Sequence, residues 1–229
     1  MKNITLVIPA KEEPTALPMV LNELKKKKID IRKIIVMDKR DLETLSSIKK
    51  YDNCKILFQS KKGYGNAIIE GIDQVKTEYL CIFYADGSTD PIYLDSMLKK
   101  LRNQKLDLLF GSRYEKNALS LDDNLVTKIG NYGFTLLGNI LMKLNISDLL
   151  FTYIFAKTKS LKNLQLKSDD YCLCVEIPFK AKLAKLNYST IPCIERKRFA
   201  DKKKVKAFKD GLKILIYLFS KYLKTVYRK

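Results

Sequence analysis

The 229-residue chain has no histidine and no tryptophan. Without imidazole, Ser-His-Asp and Cys-His catalysis, histidine metal sites and imidazole proton shuttles are excluded, so any catalysis runs on carboxylates, Lys, Arg, Tyr or a metal. Glycine (9) and proline (6) are sparse, which argues against low complexity. Acids are in the minority: 25 Asp+Glu stand against 44 Lys+Arg, a formal charge of +19. Such a chain calls for an anionic partner. The five cysteines (Cys54, Cys81, Cys172, Cys174, Cys193) are scattered, and Cys172 and Cys174 are too close for the usual zinc spacing. They read as reduced, partly buried thiols of a cytosolic protein. The longest unbroken apolar run, 79–85, is far below the roughly 18 residues needed to cross a bilayer. The opening apolar stretch is too short for a signal peptide. The expectation is a chain that does not span a membrane but can lie on one.

What is present is enough apolar sequence for a core, 46% of all residues, which excludes a disordered basic tail. Short β-branched or aromatic runs recur at 4–8, 34–37, 55–58, 79–84 and 106–110, with helical patterns at 15–28, 42–51, 65–75 and 92–103. This rhythm predicts an α/β fold with a mostly parallel sheet flanked by helices. Beyond 110 the pattern changes to a long helix (125–144), a strand (148–157), a helix (174–186), a strand (189–195), a basic loop and a last helix. One domain, 1–204, with a helical extension, 205–229, accounts for the whole.

In open sheets of this kind ligands gather at the carboxyl ends of strands, which directs attention to 9–13, 38–41, 59–65 and 85–90. Asp86 stands on a strand tip, where a carboxylate can hold a divalent cation that bridges a diphosphate. Asp90, before Pro91, reads as an ordinary helix cap. Asp38 ends another strand and can accept from a nucleobase or ribose, with Lys39 and Arg40 beside it to face phosphate, although a solvated turn explains these residues equally well. The loop 59–65 carries Gly63 and Gly65 into a helix start, a geometry that brings backbone N–H groups to an anion, yet it lacks the Walker and dinucleotide spacings. Between 196 and 213 nine Lys/Arg face two acids. The helix that follows puts Lys206, Asp210, Lys213, Lys221, Lys224 and Arg228 on one face and apolar residues around the rest. This basic amphipathic pattern suits the surface of an anionic bilayer, or a core helix with a solvated face.

In order along the chain, these residues resemble the family 2 glycosyltransferases of the GT-A (Rossmann-like) fold, and within them the synthases of dolichol- or polyprenyl-phosphate mannose or glucose. Val7-Ile-Pro-Ala-Lys-Glu-Glu13 is similar to the family's opening strand end. Ile34-Ile-Val-Met-Asp38, Gly63-Tyr-Gly-Asn-Ala67, Tyr84-Ala-Asp86-Gly87 and Gly111-Ser-Arg-Tyr114 resemble the motifs that follow it. Ser147-Asp148 precedes the place of a Gly-Phe-Arg segment, and Ile191-Pro192, Arg198 and Lys204 match the stretch that faces acceptor phosphate.

The resemblance implies transfer of a hexose from a nucleotide-diphosphate sugar to polyprenyl phosphate at the cytoplasmic membrane face. It implies donor contacts at Pro9, Ala10, Glu13, Asp38, Lys39, Gly63, Gly65 and Asp86, a divalent cation (Mg2+ or Mn2+) on Asp86, and acceptor phosphate held by Arg113, Arg198 and Lys204. The catalytic residues it implies are Asp86, Arg113 and Arg198. A phosphate nucleophile is already anionic, so no general base is required. Five residues depart from the family: Lys39 and Tyr84 replace aspartates, Thr152 and Ile154 replace the Gly and Arg of Gly-Phe-Arg, and Lys203 replaces a serine. Losing one carboxylate is expected to weaken metal affinity or shift donor preference.

Other readings differ in class. A nucleotidyltransferase would carry a Gly-rich loop where 9–14 has none. A nucleic-acid or anionic-surface binder draws on the charge alone, no nucleic-acid motif is present, and no nucleic-acid partner is expected. A soluble glycan acceptor and a catalytically silent transferase remain open.

Overall fold

The computed structural model describes residues 3–200, apart from 28, 30 and 52, and residues 204–226. Lys28, Lys203 and Arg228, which entered the readings above, lie outside the described residues. The elements run β1 (Ile4–Pro9), α1 (Ala16–Lys26), β2 (Arg32–Met37), α2 (Leu42–Ile48), β3 (Cys54–Phe58), α3 (Tyr64–Gln74), β4 (Tyr79–Ile82), α4 (Tyr93–Asn103) and β5 (Leu108–Ser112). They continue β6 (Leu119–Ser120), α5 (Leu125–Met142), β7 (Ile154–Lys157), α6 (Thr158–Asn163), α7 (Leu173–Leu183), β8 (Tyr188–Pro192), β9 (Ile194–Glu195) and α8 (Ala207–Val226).

Seven strands form one sheet in the order β3-β2-β1-β4-β7-β5-β8. All neighbours are parallel except β7, which runs against β4 and β5. The sheet is buried on both faces, so alternate residues of one strand enter different cores. On one face Val7, Ile34, Val36 and Ile82 pack with Ile68 and Ile72 of α3 and Val175 and Ile177 of α7. On the other, Leu6, Ile8, Ile35 and Cys81 meet Leu17, Val20 and Leu24 of α1 and Leu94, Met97 and Leu101 of α4. A two-stranded sheet, β6 with β9, closes one end of the carboxyl edge.

The region beyond β5 departs from the sequence expectation. The strand expected over 148–157 is regular only from Ile154, because Asp148 and Thr152 turn their polar groups to Arg113, Tyr84 and Tyr64 instead of a neighbouring strand. The strand expected over 189–195 is divided at Cys193, whose N–H still donates to the Ser112 carbonyl of β5 (2.8 Å), into β8, paired with β5, and β9, paired with β6. All five cysteines are free thiols, and burial raises the pKa of Cys172, Cys174 and Cys193 to about 12. Helix α8 packs on α5 through Ile214 and Leu218. No described helix is long and apolar enough to cross a membrane.

Candidate active site

From the end of β4 the chain passes through Tyr84 to Asp86 at the carboxyl edge. Asp86 Oδ1 accepts from the Ser88 N–H (2.9 Å) and the Ser88 hydroxyl (2.7 Å), a local turn that fixes the carboxylate. Gly87 follows at φ +84°, and a Cβ there would stand 2.4 Å from the Phe199 ring. Both the left-handed backbone and the ring demand glycine.

The basic segment 196–199 lies across this turn. The Arg196 N–H donates to the Ser88 carbonyl and the Phe199 N–H to the Asp86 carbonyl, each at 2.8 Å. The Arg196 guanidinium reaches the Gly87 and Thr89 carbonyls and forms a two-pronged pair with Glu23 of α1 at 2.9 and 3.0 Å. Burial disfavours charge on Glu23, but hydrogen bonds from Arg196 and Lys27 hold its pKa below the ordinary 4.5. Between these anchors Arg198 Nη2 lies 3.1 Å from Asp122 and 3.5 Å from Asp86. Burial works against the Arg198 charge, and Asp122, Asp86 and Glu13 together raise its pKa. Lys204 enters from the other side: Nζ donates to the Glu12 carbonyl (2.9 Å) and stands 3.5 Å from the Glu13 carboxylate. Asp86, Arg198, Glu13 and Lys204 therefore meet at one end of the sheet, with Pro9 and Ala10 at the tip of β1 beside them; the Ala10 N–H is spent on the Val36 carbonyl (2.8 Å).

Tyr84, in the place of a family aspartate, points into the protein. Its hydroxyl accepts from the Thr152 N–H (2.9 Å) and lies 2.9 Å from the Thr152 hydroxyl, which also contacts the Tyr64 hydroxyl at 2.5 Å. Burial raises the pKa of both tyrosines, so this corner is neutral. Tyr64 stacks on Tyr171 with ring centroids 4.8 Å apart.

Three of the expected site features are engaged by the protein's own groups. Arg113 is 7% exposed and does not face the cleft: Nε and Nη2 donate to Asp148 at 2.7 and 3.0 Å, Nη1 donates to Glu195 at 3.2 Å, and Asp123 lies at 3.6 Å. Its guanidinium is engaged inside the protein. Gly63 and Gly65 lie against backbone of another segment. A Cβ on Gly63 would lie 2.0 Å from the Asp169 carbonyl oxygen and one on Gly65 2.2 Å from that of Ser168. The Asn66 N–H donates to the Asp169 carbonyl (3.1 Å), so residues 168–170 take the place expected of a phosphate. Asp38, finally, is engaged by its neighbour: Arg40 Nε and Nη2 bind its two oxygens at 3.0 and 2.6 Å and hold its pKa well below the carboxylate range. Lys39 is exposed. Asp38 stands two strand spacings from the β4 tip, about 10 Å.

No group of three or more His, Cys, Asp or Glu able to hold a metal occurs among the described residues. Asp86 with the Ser88 hydroxyl nevertheless suits a hard divalent ion of the kind that takes one or two protein carboxylates and fills its shell with diphosphate oxygens and water. Asp122 and the Arg196 clamp carry no motif, and Thr152 stands out only as a departure from the family, because the role of each depends on contacts between distant segments.

With this arrangement in place, comparison decides the family. Residues 5–165 match the family described as glycosyl transferase family 2. The chain belongs to that family. Among its relatives is the UDP-N-acetylglucosamine–dolichyl-phosphate N-acetylglucosaminyltransferase of Methanococcus voltae, 25% identical over 214 residues, covering 83% of this chain and 84% of that protein. Glucosyl-3-phosphoglycerate synthase of Mycobacterium tuberculosis, solved with Mn2+, UDP and phosphoglyceric acid, superposes with a TM-score of 0.72 at 13% identity, over 96% of this chain and 78% of that one. Mannosyl-3-phosphoglycerate synthase of Rubrobacter xylanophilus gives a TM-score of 0.75 at 12% identity, over 100% and 76%. These likenesses establish the GT-A-like fold, and the family makes the protein a glycosyltransferase.

Proposed function

We propose that this glycosyltransferase moves a hexose from a nucleotide-diphosphate sugar to a polyprenyl phosphate, working as a peripheral protein on the cytoplasmic face of an anionic membrane. The observation that carries the lipid acceptor is an apolar surface next to the site. On α5, Leu125, Ile129, Leu136 and Ile140 are exposed at helical spacing, and on α8, Phe208, Leu212, Ile216, Phe219 and Leu223 are exposed likewise. Both helices begin at the cleft, three residues after Asp122 and three after Lys204. Contiguous apolar surface of this kind marks an interaction site. Lys128 on α5, Lys143 just after it, Lys206 just before α8 and Lys209 and Lys213 on α8 accompany it, which suits anionic headgroups and disfavours self-association of a chain carrying +19. The dolichyl-phosphate substrate in the name of the M. voltae relative points the same way.

In this reading an acceptor phosphate oxygen attacks the anomeric carbon as the bond to the donor diphosphate breaks, and the phosphate needs no general base. Arg198 and Lys204 hold the acceptor phosphate in line; Pro9, Ala10, Glu13, Asp38 and Lys39 line the donor side. A Mg2+ or Mn2+ ion held by Asp86, as Mn2+ accompanies UDP in the mycobacterial structure, supplies charge neutralisation for the departing diphosphate. With Tyr84 in the place of a carboxylate, Asp86 alone would hold that ion, so its affinity should be modest.

The test is incubation with a panel of radiolabelled sugar nucleotides, with undecaprenyl phosphate in anionic vesicles or with soluble phosphoglycerate. Label entering the lipid phase, abolished by Asp86→Ala, is expected. Transfer to phosphoglycerate alone would replace the lipid acceptor with a soluble one.

A further inference from the structure

One guanidinium serves two carboxylates at the cleft. Arg198 Nη2 makes a hydrogen bond to Asp122 Oδ2 at 3.1 Å and only an ion pair with Asp86 Oδ2 at 3.5 Å. The backbone on each side is fixed. Residues 196–199 are tied to the Asp86 turn by the Arg196 and Phe199 N–H groups. Asp122 lies between two anchored neighbours: the Leu121 N–H donates to the Glu195 carbonyl (2.9 Å), and Asp123 accepts from the Tyr114 hydroxyl (2.6 Å) and lies against Arg113. The place of the guanidinium is therefore set by how it divides between Asp122 and Asp86.

Asp86 Oδ1 is committed to Ser88. A cation arriving with a diphosphate needs Oδ2, the oxygen that Arg198 approaches, and two cations on one carboxylate oxygen repel. We infer that Asp122 is a positioning residue: it draws Arg198 aside so that Asp86 can take the cation of the donor while Arg198 stays in the cleft. This rests on the transferase reading above and adds a residue to it. Without Asp122, Arg198 relaxes onto Asp86 and competes with the ion. Changing outer partners of this kind typically costs about 10–100-fold in metal affinity or activity.

The experiment is a Mn2+ titration followed by the EPR signal of the free ion, with UDP or GDP present, on folded protein checked by circular dichroism. Asp122→Asn is expected to weaken Mn2+ binding about tenfold, and Asp122→Glu to restore most of it. In an Arg198→Gln background, Asp122→Asn should have no further effect, because the competitor is gone. Unchanged affinity in Asp122→Asn, or a loss that persists without Arg198, overturns the inference and leaves the transferase reading intact. Wild-type protein that binds neither nucleotide with Mn2+ overturns both, as does Asp86→Asn binding Mn2+ as well as wild type.

Discussion

The guanidinium of Arg113 is enclosed by carboxylates, with Nε 2.7 Å from Asp148 and Nη1 3.2 Å from Glu195. Burial raises the Glu195 pKa and Arg113 opposes that rise. Removing one partner of a buried pair leaves charge without compensation, at a cost of about 3–5 kcal/mol. Arg113→Met should therefore lower the urea midpoint steeply, whereas Arg113→Lys, which keeps the charge but not the fork, should fall between. A midpoint unchanged in Arg113→Met would mean the cluster does not hold the fold.

The Arg196–Glu23 pair ties the basic segment to α1 and carries a pH signature. Because the folded pKa of Glu23 lies below its ordinary 4.5, the pair's stabilisation is complete above that value and is lost as pH falls through the folded pKa. Glu23→Gln should remove about 1 kcal/mol at neutral pH and flatten the acid limb of the stability profile. Parallel acid limbs in the two proteins would dismiss the pair as a contributor.

Gly87→Ala combines a positive φ with a methyl driven into the Phe199 ring. A loss of about 1–3 kcal/mol is expected from the backbone alone. Shrinking the ring in Gly87→Ala/Phe199→Ala should recover only the steric part, read by thermal unfolding. Full recovery would show that the backbone at 87 carries no strain.

Tyr84→Phe deletes the acceptor of the buried Thr152 N–H. The orphaned donor should cost about 1–3 kcal/mol. Chemical denaturation measures this, and a neutral result would point to a replacement partner for Thr152.

The apolar face of α5 and α8 predicts that each helix contributes to membrane binding. Ile129→Ser/Leu136→Ser on α5 and Phe208→Ser/Leu212→Ser on α8 should each reduce flotation with anionic vesicles, since every buried apolar side chain is worth about 1.5–3 kcal/mol. If only the α8 pair matters, α5 faces water in the bound state.

The parallel half of the sheet was legible because its β-branched runs are bounded by turn residues, and 34–37 and 55–58 became β2 and β3 with shifts of one or two residues. The reversed β7 was not, since four residues carry no sign of direction. The Gly-Ser-Arg-Tyr motif named Arg113 but not its surroundings, which come from partners 35 and 82 residues away. Gly63 and Gly65 pointed to an anion at the start of α3, whereas the backbone of 168–170 lies against them. The helix α8 was readable. The exposure of α5 was not, because an apolar helix reads as core.

Arg196, Arg198 and Lys204 all come from the last fifth of the chain, while Glu13, Asp86 and Asp122 are made earlier. During synthesis, then, the carboxylates of the cleft leave the ribosome before the side chains that balance them, and the charge pairs at the mouth of the sheet are completed only when the last segment docks.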